Sequence, residues 1–358
     1  MSVPPSDYRK GRGAQSHRPN RFEQLRHEPV PEYRDHLRRN GEESPVRTQF
    51  LKIHPKTIVN KILSPDVGMS YSLNPYQGCE HGCVYCYARN THEYWGYDPG
   101  LDFESRILVK EEAPRLLEEH LKKPGWKAEP IVLSGNTDCY QPAERQFRIT
   151  RACLEVFLKY RHPVGIITKN ALITRDLDLL SALNRHGLVG VHVSVTTLRE
   201  ETRQLLEPRT ASTAKRLSTI RELSQAGIPV NAMLAPIIPG INSHELMDLA
   251  REAAACGARS FGYTMVRLNG AIGELFTEWI GKAMPGRAAK VLSQIRACHG
   301  GQLSDSRFGT RMKGEGEIAR HLHQMARLSR RRYFEGREFP ALNTELHARY
   351  KNGQLSLF

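Results

Sequence analysis

Cys79, Cys83 and Cys86 lie in the stretch Asn74-Pro75-Tyr76-Gln77-Gly78-Cys79-Glu80-His81-Gly82-Cys83-Val84-Tyr85-Cys86-Tyr87, with the spacing C-x3-C-x2-C. Three thiolates on one short loop can hold three corners of a [4Fe–4S] cube and leave the fourth iron open. Four cysteines are the usual complement of such a cluster. A shortfall of one leaves a vacant coordination position, the feature that separates catalytic from structural metal centres. Zinc is the competing chemistry: the same cysteines with His81 or His92 would make a Cys3His set. Zinc modules usually present two separated ligand pairs, and no second close cysteine pair occurs here.

Such a loop needs a frame. From about Ser70 short apolar runs alternate with longer helical stretches, the pattern of βα units around a parallel sheet. Strands are expected at Met69–Leu73, Ile131–Ser134, Gly165–Thr168, Gly190–Thr196, Pro229–Ala235 and Ser260–Val266. Between them Glu111–Lys122, Arg145–Tyr160, Arg175–His186, Ser212–Ala226 and His244–Ala255 carry apolar residues at helical intervals. Gly187, Gly227 and Gly257 follow three of these helices, where a terminal glycine is expected. Six βα units are too few to close an eight-stranded barrel. In barrels the loops after the strands carry the site, and the cysteine loop follows the first strand.

The triplet, with Gly78, Gly82 and Tyr85 around it, resembles the signature of the radical S-adenosylmethionine (SAM) superfamily. The resemblance implies an α/β fold, a partial (β/α)6 TIM-type barrel. It implies that Cys79, Cys83 and Cys86 ligate a [4Fe–4S] cluster whose open iron is chelated by the amino and carboxylate groups of SAM. One electron from a donor such as flavodoxin or ferredoxin would then cleave SAM to a 5′-deoxyadenosyl radical, which takes hydrogen from a substrate. Tyr85 would lie beside the adenine. The second strand end, Ser134-Gly135-Asn136-Thr137-Asp138, would meet the amino group of SAM. Thr168-Lys169 ends the third strand, and a lysine there can neutralise the SAM carboxylate as a point charge. Ser194 on the fourth is placed to bond ribose. The loop through Gly240 after the fifth resembles the family's adenine-flanking loop.

Ser134 to Glu144 and Leu206-Glu207-Pro208-Arg209-Thr210 resemble the spore photoproduct lyase-like branch, whose enzymes reverse a thymine lesion. There a protein cysteine returns a hydrogen atom to the lesion. In this chain Cys139, after Thr137-Asp138, is the candidate donor, and its position on the far side of that pair departs from the branch.

The chain has 358 residues and a net charge of +14. Residues 1–52 read as a disordered basic arm, 53–300 as the core, 301–349 as a basic helical extension and 350–358 as a tail. From Arg307 to Lys351 eleven Lys and Arg face five Glu, and Arg330-Arg331-Arg332-Tyr333-Phe334 sets aromatics beside cations. That mixture can pair phosphates and stack on bases; it can equally be a solvated helix face. Gln354, Leu355, Leu357 and Phe358 resemble the short peptide by which bacterial repair proteins dock on the sliding clamp. Seven cysteines without an apolar leader indicate a reducing, cytoplasmic setting. The most apolar stretch, 228–239, is too short to cross a membrane and is broken by prolines. The readings are a radical SAM enzyme acting on nucleic acid, one acting on a protein or small molecule, and a non-catalytic zinc- or cluster-bearing adaptor at the clamp.

Overall fold

The structure is a computed structural model and describes residues 8–22 and 46–351. Ten strands occur among these residues. They are β1 (Gln49–Lys52), β2 (Val59–Lys61), β3 (Tyr71–Leu73), β4 (Tyr76–Gln77), β5 (Arg106–Val109), β6 (Ile131–Leu133), β7 (Val164–Thr168), β8 (Val189–Ser194), β9 (Val230–Met233) and β10 (Ser260–Gly262). The large sheet runs β10-β9-β8-β7-β6-β3-β2. From β3 to β10 every pairing is parallel, and β2 caps the β3 edge antiparallel. The six parallel strands are the six expected, in chain order, and the sheet is a partial (β/α)6 barrel. Leu73 pairs with Leu133, Leu133 with Ile166, and Ile166 with Val191, so consecutive strands end close to one level. A small sheet, β1-β5-β4, holds the two residues that lead into the cysteine loop.

Each crossover helix buries its apolar face against the strands. Helix Ala113–Leu121 buries Leu117 and Leu121, and Leu246–Ala255 buries Leu249, Ala250 and Ala253. The helix expected to run unbroken from Arg145 to Tyr160 is two, Glu144–Phe147 and Ile149–Lys159, hinged at Arg148 with φ 54°. Glu144 explains the break. Its buried carboxylate accepts from Thr150 N at 3.0 Å and Arg151 N at 3.3 Å, satisfying the first amides of the second helix.

Two expected boundaries are corrected. Order does not wait for Ile53. β1 precedes it, and residues 8–22, assigned to a disordered arm, pack on the barrel. Gly13 and Ala14 donate to the Glu104 carboxylate at 3.2 and 2.7 Å, His17 Nδ1 meets Asp98 at 2.6 Å, and Asn20 donates to the Glu93 carbonyl at 2.9 Å. Nor does the core end at 300. Helix Gly316–Tyr333 buries Ala319, Leu322 and Ala326, and these and Phe334 belong to the same apolar cluster as the barrel strands. Phe334 packs against Phe261 of β10, the rings tilted and their centroids 5.2 Å apart. Beyond it Phe339 packs against Gly190 and His192 at the start of β8, and Asn343 N donates to the Gly187 carbonyl at 2.8 Å. The segment expected as an appendage thus covers the last strand and the strand-start face. Gln354, Leu355, Leu357 and Phe358 lie outside the described residues.

Integration of this segment has a measurable consequence. Phe334→Ala removes a buried ring, and such truncations cost about 3–5 kcal/mol. Urea unfolding of the whole chain is expected to show a loss in that range; a loss below ~1 kcal/mol would mean that the segment is not part of the cooperative core.

Candidate active site

The cysteine loop is fastened on three sides. Cys79 N donates to the Phe103 carbonyl at 2.8 Å, Val84 N to Leu206 at 3.1 Å, and Arg209 N to His81 at 3.2 Å. Gly82, with φ 67°, lies so close to Glu104 that an added Cβ would meet its carboxylate at 2.9 Å. Behind it the fully buried Arg89 and Glu104 pair at 2.5 Å, and Arg89 Nε donates to the Cys83 carbonyl at 3.0 Å. Removing one partner of such a pair strands the other's charge out of water.

Leu206-Glu207-Pro208-Arg209-Thr210 is the other clamp. The Glu207 carboxylate is buried and receives the Tyr85 hydroxyl, Thr196 Oγ1 at 2.5 Å and Arg216 at 2.5 Å. Burial alone would push its carboxyl up, but Arg216 and Lys169 outweigh this and hold it at about 2. Tyr85 is therefore held by its hydroxyl to Glu207 while it also lines the cavity.

A cavity of about 480 Å³ opens at the C-terminal ends of the parallel strands. That is within the usual range for small-molecule sites. Cys79, Cys83 and Cys86 line it, together with Tyr85, Gly135, Asn136, Thr137, Asp138, Thr168, Lys169 and Ser194. The structure sorts these residues by what their polar atoms do. Asn136 donates to Gln77 and Thr91, and Thr137 Oγ1 to the Tyr76 carbonyl at 2.7 Å. Asp138 accepts from Thr168 Oγ1 at 2.8 Å and Lys169 N at 2.7 Å, and it lies 3.3 Å from His81. These side chains hold the walls together. By contrast the Lys169 ammonium and the Ser194 hydroxyl make no hydrogen bond among the described residues, although both line the cavity. Burial works against the Lys169 charge, but Cys83 and Glu207 more than offset it and raise its pKa. The wall at Gly135 leaves no room for a side chain: an added Cβ would sit 2.5 Å from that of Ser72.

Two expected members are not there. Gly240 turns with φ 76° against helix Pro285–Ala297, where an added Cβ would meet Gln294 at 2.6 Å; Ala235 and Pro236 line the cavity in its place. Cys139 is 0 % exposed and belongs to the apolar core behind β6. Its amide is bound by Ser134 Oγ at 2.7 Å, and burial pushes its thiol well up. It does not face a substrate, and the donor role assigned to it has no geometric support.

The donor set fits the cluster better than it fits zinc. Among the described residues the three thiols do not all lie within 4.8 Å of one another, whereas a Zn–S bond of 2.3 Å sets thiolates about 3.8 Å apart. His81 already uses both nitrogens, toward Asp138 and toward Asn170 at 3.2 Å. His92 is buried against Phe103 and Tyr97 and lines no part of the cavity. Burial pushes the thiols of Cys79 and Cys83 up, so binding as thiolates releases protons.

Sequence reasoning missed the far rim. Ile62, Ser64, Val67 and Met69 before β3, and Thr264 to Arg267, Arg311 and Met312 after β10, line the same cavity. No motif marks them, because they come together only when the sheet curves. The Glu207–Arg216 contact was equally hidden, although the Leu206–Thr210 stretch stood out as a signature.

Residues 73–253 match the Radical SAM superfamily model, half of the chain. An uncharacterized protein of Mycobacterium tuberculosis is 32% identical over 239 residues, covering 66% of this chain and 70% of that protein. A radical SAM Nalpha-GlyT isomerase of Pseudomonas phage M6 is 26% identical over 186 residues, covering 51% of this chain and 36% of that protein. Among solved structures, spore photoproduct lyase complexed with dinucleoside spore photoproduct has the same fold, with a TM-score of 0.59, 17% identity and 80% coverage of both chains. A [4Fe–4S] cluster and SAM are the cofactors of this family, and the three-thiol cavity beneath Lys169 fits them. On the cysteine loop, the partial barrel and the family match together, this chain is a radical SAM enzyme.

Proposed function

We propose that the substrate of this enzyme is a nucleic acid, altered at a base or at a lesion by hydrogen abstraction. The observation that carries this reading is the basic outer face of helix Gly316–Tyr333. Arg320, Arg327, Arg330, Arg331 and Arg332 are all exposed there, and Glu317 is the helix's one acid. The opposite face is packed on the barrel, and the arginines run along the helix from the Met312 side, which lines the cavity, toward the strand-start face. Arg330 also lies over the Phe261 ring at 4.9 Å. Such a stripe pairs phosphates through contacts that weaken with salt. One likeness favours the same substrate class: the barrel shares its fold with a lyase solved with a dinucleoside photoproduct. A small-molecule substrate leaves the stripe without a role, and an adaptor leaves the cavity without one.

Cys79, Cys83 and Cys86 would hold the cluster, and the open side of the cavity would hold SAM. When bound, these groups supply one-electron reduction and hydrogen abstraction, fed by a donor such as flavodoxin or ferredoxin. The chain's own part is positional. Lys169 is the cation left to meet a carboxylate, Ser194 the hydroxyl left for ribose, and the Gly135 backbone the close approach. Glu207 fixes Tyr85, and through it the loop that carries the thiols. No helix among the described residues is long and apolar enough to cross a membrane.

Lys169→Ala removes a charge-assisted contact worth about 1.5–3 kcal/mol. SAM is therefore expected to bind at least tenfold more weakly to the reconstituted variant by equilibrium dialysis; unchanged affinity would remove Lys169 from the cofactor site. The substrate class is tested by turnover with SAM deuterated at C5′ in the presence of lesion-bearing oligonucleotides and structured RNAs. Exchange of label between SAM and nucleic acid is expected. Steady 5′-deoxyadenosine formation with no exchange into any nucleic acid, but exchange into a peptide or metabolite pool, would overturn the reading.

A further inference from the structure

We propose that Arg267 is the substrate-recognition cation of the cavity and that it takes a phosphodiester beside the target nucleotide. This rests on the nucleic-acid reading and goes further, to the atoms that receive the backbone. The thiols, Gly135 and Lys169 lie on the loops after β4, β6 and β7, and Ser194 ends β8. Arg267 lies after β10, on the rim that none of these uses.

What singles out Arg267 is that the nearby carboxylates are already taken. Asp66 accepts from Arg311 Nε at 2.5 Å and from Gly309 N at 2.8 Å, and Arg311 also donates to Ser64 Oγ at 2.6 Å. Asp305 is held by Arg307 at 2.7 Å. Arg267 is left with the Met312 sulfur at 3.1 Å, a weak acceptor, as its hydrogen-bond partner among the described residues. Burial and the charge of Arg311 push its pKa down and outweigh the opposing pull of Asp66 and Asp305, so the site gains by receiving an anion. A guanidinium fork suits the paired oxygens of a phosphate.

The surroundings favour a phosphodiester over a free carboxylate. Phe308 is 60% exposed, with the Arg311 guanidinium 4.3 Å from its ring centre, and Leu63, between the lining residues Ile62 and Ser64, is 83% exposed. These apolar surfaces on the same rim suit a base next to the bound phosphate. A carboxylate metabolite would leave them in water.

The test is a fluorescence-anisotropy titration of a labelled single-stranded oligothymidylate across a salt series. It uses the full chain, reconstituted with its cluster and loaded with SAM. Arg267→Gln is compared with Arg331→Gln, which removes the same charge from the exposed helix outside the cavity. Arg267→Gln is expected to bind about tenfold more weakly than wild type, with the salt slope reduced by about one, and to lose more than Arg331→Gln. Arg267→Lys is expected to keep the slope and lose affinity several-fold, because a point charge replaces the fork. If wild type binds and Arg267→Gln matches Arg331→Gln, the assignment of Arg267 is overturned and the nucleic-acid reading stands. If wild type binds no oligonucleotide, both fall. Should circular dichroism show that Arg267→Gln is misfolded, Arg267→Lys decides, and wild-type affinity in that variant overturns the proposal.

Discussion

The Glu207 carboxylate is the contact through which the cysteine loop and the barrel become one structure. It is buried, it is held ionised by Arg216, and it takes hydroxyls from Tyr85 on the loop and Thr196 beyond β8. A carboxylate in that setting is costly unless every partner is present. The cost gives the arrangement its precision: Tyr85 cannot swing away without taking one hydrogen bond from a buried carboxylate. Cys83 and Cys86 flank Tyr85 on either side, so the position of the thiols is inherited from an ion pair that touches neither of them.

A second carboxylate does related work on the opposite wall. Asp138 binds the Thr168 hydroxyl and Lys169 amide from β7 and approaches His81 from the cysteine loop. Although burial opposes its charge, His81 and the Lys169 amide keep its pKa low. Fixing the Lys169 backbone leaves the ammonium to point into the cavity. The wall residues are thus of two kinds, those consumed in holding one another and those left with unused polar atoms. Only the second kind is available to a ligand.

The chain wraps its own barrel from both directions. Residues 12–14 grip Glu104, which braces Arg89 behind the cysteine loop. Helix Gly316–Tyr333 and the segment after it cover β10 and the start of β8, and the loop before that helix brings Arg311 and Met312 to the cavity. Six parallel strands with one antiparallel edge strand leave open what an eight-stranded barrel would close, and the later segment covers part of the gap. The same segment turns its arginines outward, so one element serves packing on one face and charge on the other.

Local pattern was enough for the six strands and the order of the crossover helices, and the family resemblance picked out the cysteine loop, Lys169 and Ser194, which line one cavity, because periodicity and short motifs are properties of neighbours in the chain. It placed Gly240 and Cys139 at the site because each stands near a motif, and it missed the break at Arg148. Tertiary contacts decided those cases. Gly240 turns toward a helix some fifty residues later, Cys139 falls on the core side of its strand end, and Glu144 caps a helix that it would otherwise have continued. The ties of Glu207 to Tyr85, Glu104 to Gly13, and Asp66 to Arg311 join residues far apart in sequence. Burial and ion pairing between such residues leave no periodic trace, so only the folded chain shows which cations are spent and which are left with unused donors.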